Sequence, residues 1–334
     1  MKQLNFRHLS RNIIHCGKNY YVTTFFKQLM KEIESKYSHI KFELKNSPQY
    51  EKFGYGGIHS CMSMSIINPG NDKYILFSFF DNWKYHFMQH MGWKPQKMIQ
   101  FHYAAGFNFL DYHYFKHHNS KNPDTAFPKN IDEVYIPTFY SPYYDCCYDT
   151  MQELYENRKT QEQIDKLFFR GYMWDFRESM SSDLMQQKDV LIIDKNKNDQ
   201  NIDYVAYLKE ISKHKCCLSL PGGTEICNRD IECFGVGVPV LRPLITTNYS
   251  EPLIPNYHYI SCYHSCDYMD GGNPKFLNYK DMQANTMYIW NRVKNNHEFL
   301  NFISKNARSW FERNCSMKNN IKHTISKINL ELLK

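Results

Sequence analysis

Between positions 218 and 243 the chain reads LSLPGGTEICNRDIECFGVGVPVLRP, an apolar run that breaks into glycines and charged residues and closes on Gly-x-Pro-Val. Gly222 and Gly223 permit backbone angles that other residues resist, and they let a ligand approach the main chain closely. The helix expected over DIECFGVG presents unpaired N–H groups and the positive end of its dipole, a ready anion site. Arg229, in its first turns, has a guanidinium that can fork onto a phosphate. Glu232 lies three residues on and shares that face, where a carboxylate can accept from ribose hydroxyls. Pro221, Gly222, Gly223, Thr224, Arg229 and Glu232 thus make sense together as a cradle for phosphate and ribose. Singly each is ordinary: a Gly-Gly turn, a surface arginine, a solvated glutamate. There is no Gly-Lys-Ser/Thr and no G-x-G-x-x-G, so neither a P-loop nor a dinucleotide fingerprint is present.

Other residues extend this chemistry. Arg170 follows the apolar LFF, and its guanidinium is expected to reach a diphosphate; the alternative is a strand-end arginine paired with a nearby acid. Arg177 also falls near the expected loops. Charge on a departing nucleoside diphosphate must be neutralised, and arginines with a helix end can do this without a metal. The absence of an Asp-x-Asp at a strand end agrees, so neither a metal nor another cofactor is expected. In the first half, KYILFSFFDNW ends a strand at Asp81, which offers a general base for an acceptor hydroxyl. An aspartate capping the helix NWKYHFMQHM reads equally well. His59, His102 and Asp111 are further candidates with no argument to separate them. Cys262 and Cys266 lie beside His258 and His264, but no second pair at finger-like spacing accompanies them, so buried cysteines are expected rather than zinc ligands.

These residues need a frame of parallel strands, because ligands of open α/β sheets bind beyond the strands' carboxyl ends. Helix-like spacing over 20–45, an alternating IKFEL, and apolar runs at 73–83, 96–104 and 132–140 predict an α/β first half. A polar, helical stretch at 148–167 predicts a domain edge. Beyond it, strands at 167–171, 189–195, 216–220 and 238–243 alternate with helices. Two domains suit 334 residues. The expected division is 1–150 on the acceptor side, 151–315 on the nucleotide side, and a C-terminal helix at 316–334 packing back on the first domain.

The net charge of +7 admits an anionic ligand, but the basic residues are scattered and form no block interleaved with aromatics, which argues against nucleic acid. Eleven cysteines, an odd number, with no apolar run at the N-terminus, predict free thiols in a reducing cytoplasm. No stretch approaches the roughly 20 apolar residues of a membrane span.

The segment from Glu232 to Val240, ECFGVGVPV, resembles the glutamate-to-Gly-x-Pro-Val signature of GT-B glycosyltransferases. Many of those carry another glutamate where this chain has Thr224, with Glu225 one residue off. A nearer resemblance is to glycosyltransferase family 90, the CAP10 and protein O-glucosyltransferase-like enzymes, with a fainter echo of exostosin-type enzymes. It is carried by Phe169-Arg170-Gly171, by Arg229 eight residues before Gly237, by the C-terminal NARSWFERNCSMKNNIKHTISKINLELL, and by YILFSFFDNW. The second half of the chain carries most of it, and the secretion signal and retention tail of the luminal members are missing, which points to a bacterial or viral relative. The resemblance implies two Rossmann-like domains facing across a cleft and a sugar moved from a UDP-linked donor to a hydroxyl of a glycan, lipid or protein. With Asp81 as base, inversion is expected. Rival readings are an epimerase-like nucleotide-sugar enzyme and a basic binder of nucleic acid or glycan.

Overall fold

The computed structural model describes residues 28–38, 43–46, 63–67, 73–78, 97–101, 132–136, 144–173, 175–197, 202–220, 227–245, 251–263 and 279–329. The chain is α/β. Its contacts divide it into two units: one of Met1–Tyr144, Asn248–Ser250 and Asn314–Lys334, the other of Asp145–Thr247 and Glu251–Arg313.

In the first unit, residues 28–36 are helical, and five strands follow in order across one sheet: β1 (Glu43–Asn46), β2 (Ser63–Ile67), β3 (Tyr74–Ser78), β4 (Lys97–Phe101) and β5 (Asp132–Ile136). The first two pairings are antiparallel, and β3–β4 and β4–β5 are parallel. Strand β2, SMSII, has too few apolar residues to stand out in the sequence. The helix α7 (Met317–Lys327), capped by Ser316 accepting from Asn319 N–H, also belongs to this unit.

The second unit holds an all-parallel sheet of order β10-β9-β8-β6-β7 among the described residues. Its elements are α1 (Tyr144–Arg158), β6 (Ile164–Gly171), α2 (Asp175–Ser181), β7 (Val190–Asp194), α3 (Tyr204–Ser212), β8 (His214–Leu218), α4 (Asn228–Val236), β9 (Val240–Pro243), β10 (Ile260–Tyr263), α5 (Tyr279–Val293) and α6 (His297–Asn314). The sheet is buried on both faces, which is why its strands read as continuous apolar runs rather than alternating ones. Leu167 and Phe169 of β6 enter a core with Met180 of α2, Leu218 and Leu241 of the neighbouring strands, and Trp290 of α5. Phe168, on the opposite face, stacks on His214 of β8, with centroids 4.1 Å apart.

Two local readings are corrected. The polar stretch 148–167 is not one helix: α1 ends at Arg158 and β6 begins at Ile164. The sequence spacing of VAYLKEISKHK (205–215) predicts one helix, but α3 ends at Ser212, and His214 and Lys215 belong to β8. In both cases strand pairing to β6 and β8 outweighs helix propensity in polar residues.

The Gly-x-Pro-Val segment has a structural account. Gly237 takes φ 70° at the end of α4, and the N–H groups of Gly237 and Val238 donate to Phe234 and Cys233 O, the paired bonds of a Schellman ending. The Gly237 carbonyl accepts from Ser304 Oγ (2.6 Å) and Arg158 Nε (3.1 Å). Arg158 also donates to the carbonyls of Ser212, His214 and Lys215, so one guanidinium ties α1 to the ends of α3 and α4 and to β8. Burial lowers its pKa to about 10, which leaves it charged at neutral pH.

Candidate functional site

The carboxyl ends of β6 and β7 and the start of α4 gather four cations: Arg170, Arg177, Lys195 and Arg229. Gly222, Gly223 and Thr224 lie outside the described residues, as does Asp81. Arg170, Arg229 and Glu232 are described, and all three fall in this region.

Arg229 stands in the first turn of α4. It is buried, only 7% exposed, not the partly exposed cation that a helix start suggests. Its guanidinium lies 4.0 Å from the centroid of the Phe169 ring, and its Nη2 donates to Arg170 O at the end of β6. Its Nε and Nη1 find no acceptor among the described residues. Gly171 explains how the arginine fits: a Cβ there would stand 2.5 Å from Arg229 Nη2. The adjacent Arg-Gly is therefore a socket for Arg229.

Arg170 is buried and donates through Nη1 to both carboxylate oxygens of Glu210 on α3, each at 3.1 Å. Sequence left open whether this arginine would pair with an acid or reach a ligand; the Glu210 pairing is present. Arg177 of α2 also sits over Phe169, at 5.7 Å, and donates to Tyr172 O (2.9 Å), Leu220 O (3.2 Å) and Cys227 Sγ (3.3 Å). Burial lowers its pKa from the ordinary value.

Glu232, one turn beyond Arg229, is buried and accepts from Tyr204 Oη of α3 at 2.9 Å. Burial raises its pKa, while the Tyr204 hydrogen bond and Arg229 oppose that rise. The ribose reading meets a carboxylate already held between α4 and α3. Asp230, beside it, forms a fully buried ion pair with Arg242 of β9 at 2.8 Å, and its Oδ2 accepts from Cys227 N–H at 2.7 Å, closing the first turn of α4. Sequence reasoning missed Asp230, Tyr204 and Lys195. Only the three-residue spacing of Tyr204 and Tyr207 on α3 could have drawn attention to them.

Lys195 directly follows β7, and its backbone N–H donates to Gly171 O at 3.0 Å. Its ammonium lies 5.6 Å from the Tyr172 ring centroid and 5.7 Å from that of Tyr207. A cavity of about 700 Å³ lies elsewhere, at the amino ends of β6, β8 and β9, lined by residues including Arg158, Asp165, Lys215, Pro239 and Lys305. Cys262 of the cysteine–histidine stretch is a buried free thiol, and no group of residues among those described could hold a metal ion. Among the described residues no helix is long and apolar enough to cross a membrane.

In electrostatic terms the described residues concentrate positive charge around the carboxyl end of β6 and the start of α4. A buried guanidinium with unpaired N–H groups bears a desolvation cost that an anion would offset.

No protein-family model matches the chain, and no curated protein matches it. Solved structures do. A glycosyltransferase from Rickettsia africae is 11% identical over 77% of this chain and 68% of its own, with a TM-score of 0.40. Sucrose-phosphate synthase from Thermosynechococcus elongatus is 10% identical over 73% of this chain and 60% of its own, TM-score 0.36. The pneumococcal O-GlcNAc transferase GtfA, in complex with UDP and GlcNAc, is 10% identical over 81% of this chain and 65% of its own, TM-score 0.36. The chain thus spans between 60% and 68% of the length of these proteins. These TM-scores, all below 0.5, carry no argument about activity, which has to be read from the chain's own residues.

Proposed function

We propose that this chain is a GT-B-type glycosyltransferase that takes a nucleoside-diphosphate sugar, UDP-linked, at the carboxyl ends of β6 and β7 and transfers the sugar to a hydroxyl of a glycan, lipid or protein. One observation carries the reading: Arg229, 7% exposed at the first turn of α4, with two guanidinium nitrogens that no described residue satisfies. A diphosphate is the leaving group of such a transfer. Its growing negative charge is what buried N–H donors and a helix end stabilise without reorganising.

The proposed roles are these. Arg229 contacts phosphate, and the Phe169 ring and Arg170 O hold it in place. Arg170, tied to Glu210, supports the same strand end. The segment containing Gly222, Gly223 and Thr224 joins β8 to α4 and supplies main-chain N–H groups. Asp81, three residues beyond β3 in sequence, is proposed as the base for the acceptor, with inversion as the outcome; no metal is required. The resemblance to glycosyltransferase family 90 belongs to this reading and supplies the expectation of a protein or glycan acceptor.

Calorimetric titration with UDP tests it. The parent chain is expected to bind, and Arg229→Ala to bind about 10–100-fold more weakly, the loss of one or two charge-assisted hydrogen bonds of about 1.5–3 kcal/mol. Equal affinity in parent and variant would remove Arg229 from the site. A donor screen scoring hydrolysis of UDP- and GDP-sugars then names the substrate.

A further inference from the structure

We infer that Lys195 is a second phosphate contact of this anion site, aimed by the two aromatic rings that flank it; the inference rests on the donor-binding reading above. Lys195 appears in no motif, and its position after β7 only becomes informative in three dimensions.

Each arginine of the cluster has an acceptor. Arg170 has Glu210, Arg177 has the Tyr172 and Leu220 carbonyls, and Arg229 has Arg170 O. The Lys195 ammonium lies by the rings of Tyr172 and Tyr207 and forms no close ion pair among the described residues, Glu232 and Glu210 attracting it only at longer range. Aromatic faces attract a cation but take none of its three N–H donors as a carboxylate would, so its charge stays available. The rings also stiffen a side chain that is otherwise expensive in entropy to order. Tyr207 is on α3, and Tyr172 is 51% exposed at the end of β6 with its carbonyl held by Arg177, so both walls belong to anchored elements.

The local charge balance favours an anion. The carboxylates near the four cations are fewer: Glu210 is paired with Arg170, Asp230 with Arg242, and Glu232, which accepts from Tyr204, attracts both Arg229 and Lys195. Positive charge is in surplus, and Lys195 carries part of the strain: burial first, then Arg170, lowers its pKa. A bound diphosphate would reverse that shift. Its two phosphates also suit two separate cationic contacts, Arg229 at the start of α4 and Lys195 after β7, with β6 between them in function as Arg229 bonds Arg170 O and Lys195 N–H bonds Gly171 O.

The experiment titrates the full chain with UDP, inorganic pyrophosphate and uridine, in the parent and in Lys195→Met and Lys195→Arg. Methionine keeps the unbranched packing between the rings and removes the charge; arginine keeps the charge. Lys195→Met is expected to bind UDP and pyrophosphate about tenfold more weakly with an unchanged melting temperature, a shallower dependence on salt and no change toward uridine, while Lys195→Arg recovers most of the affinity. If Lys195→Met melts lower, Lys195→Gln provides the same comparison. Parental affinity of the neutral variants for both anions overturns the inference and leaves the donor reading intact. A parent that binds pyrophosphate but not UDP overturns the UDP-donor reading, and the Lys195 contact is then decided on pyrophosphate. A parent that binds none of them overturns both.

Discussion

Gly171 owes its identity to a side chain 58 residues away in sequence, since the Arg229 guanidinium occupies the space a Cβ would need. The blocking atom is the end of a flexible side chain, so Gly171→Ala is expected to displace the guanidinium rather than unfold the strand. UDP affinity should fall about tenfold, about 1.4 kcal/mol, while the melting temperature changes little; titration calorimetry and a melting curve on the same preparation check this. Two histidines set a different limit. His258 Nδ1 accepts from Ile254 N–H at 2.9 Å, which requires that nitrogen to be unprotonated, and burial lowers its pKa to about 4. His214, stacked on Phe168, is likewise lowered to about 4, by burial and then by Arg158. Their folded values lie below the ordinary 6.5, so each contributes stability that is present above pH 6.5 and is lost as pH falls toward 4. In that window the unfolded chain holds one more proton per histidine, and stability falls by about 1.4 kcal/mol per pH unit for each. His258→Asn keeps an acceptor near the Nδ1 position and cannot titrate. Denaturant midpoints measured from pH 7 to 4 should therefore lose about half of this slope.

At the scale of elements, α4 is the piece on which the site depends, and its two ends are held differently. Its start is fixed by charge, through Asp230 on Cys227 N–H and the buried Asp230–Arg242 pair. Its end is fixed by shape: Gly237 at φ 70° leaves no room for a side chain, since a Cβ would come within 2.2 Å of Tyr155 Cδ2. Gly237→Ala combines left-handed strain with that clash and is expected to destabilise the second unit by about 2–4 kcal/mol. Asp230→Asn leaves Arg242 buried without its partner and is expected to cost about 3–5 kcal/mol. Urea unfolding measures both. A nucleotide present at saturation should offset part of the loss in Gly237→Ala, because ligand bound to the native state stabilises it by mass action.

On the scale of the whole chain, the proposed division of labour puts donor binding in the second unit and proton abstraction at Asp81. The two should separate in one variant. Asp81→Asn is expected to leave UDP affinity and melting temperature unchanged and to lower transfer 10²–10⁴-fold, the usual worth of a general base. A helix cap tolerates Asn almost as well as Asp, so near-parental turnover at saturating donor would assign Asp81 to capping. The search for a base would then move to His59, His102 and Asp111.

What the sequence determined by itself is local and periodic. Apolar runs at LFF, VLIID and CCLSL marked strands, and the glycine after FGV marked the end of a helix, because burial on both sheet faces and a left-handed cap each leave a residue-level imprint. The clustering of Arg170 and Arg229 near one strand end was also legible, from the order of strand, loop and helix. The environment of each side chain was not. That Arg170 would meet Glu210, that Glu232 would be held by Tyr204, and that Arg229 would be buried on Phe169 depend on which helix packs over which strand. Lys195 is the sharpest case. It stands 34 residues before Arg229 in a stretch of mixed charge, and only the parallel pairing of β6 with β7 brings its backbone to Gly171 and its ammonium between two tyrosines. Side-chain type is written in the chain, but electrostatic environment is a sum over neighbours, and only the tertiary fold decides which neighbours are near enough to count.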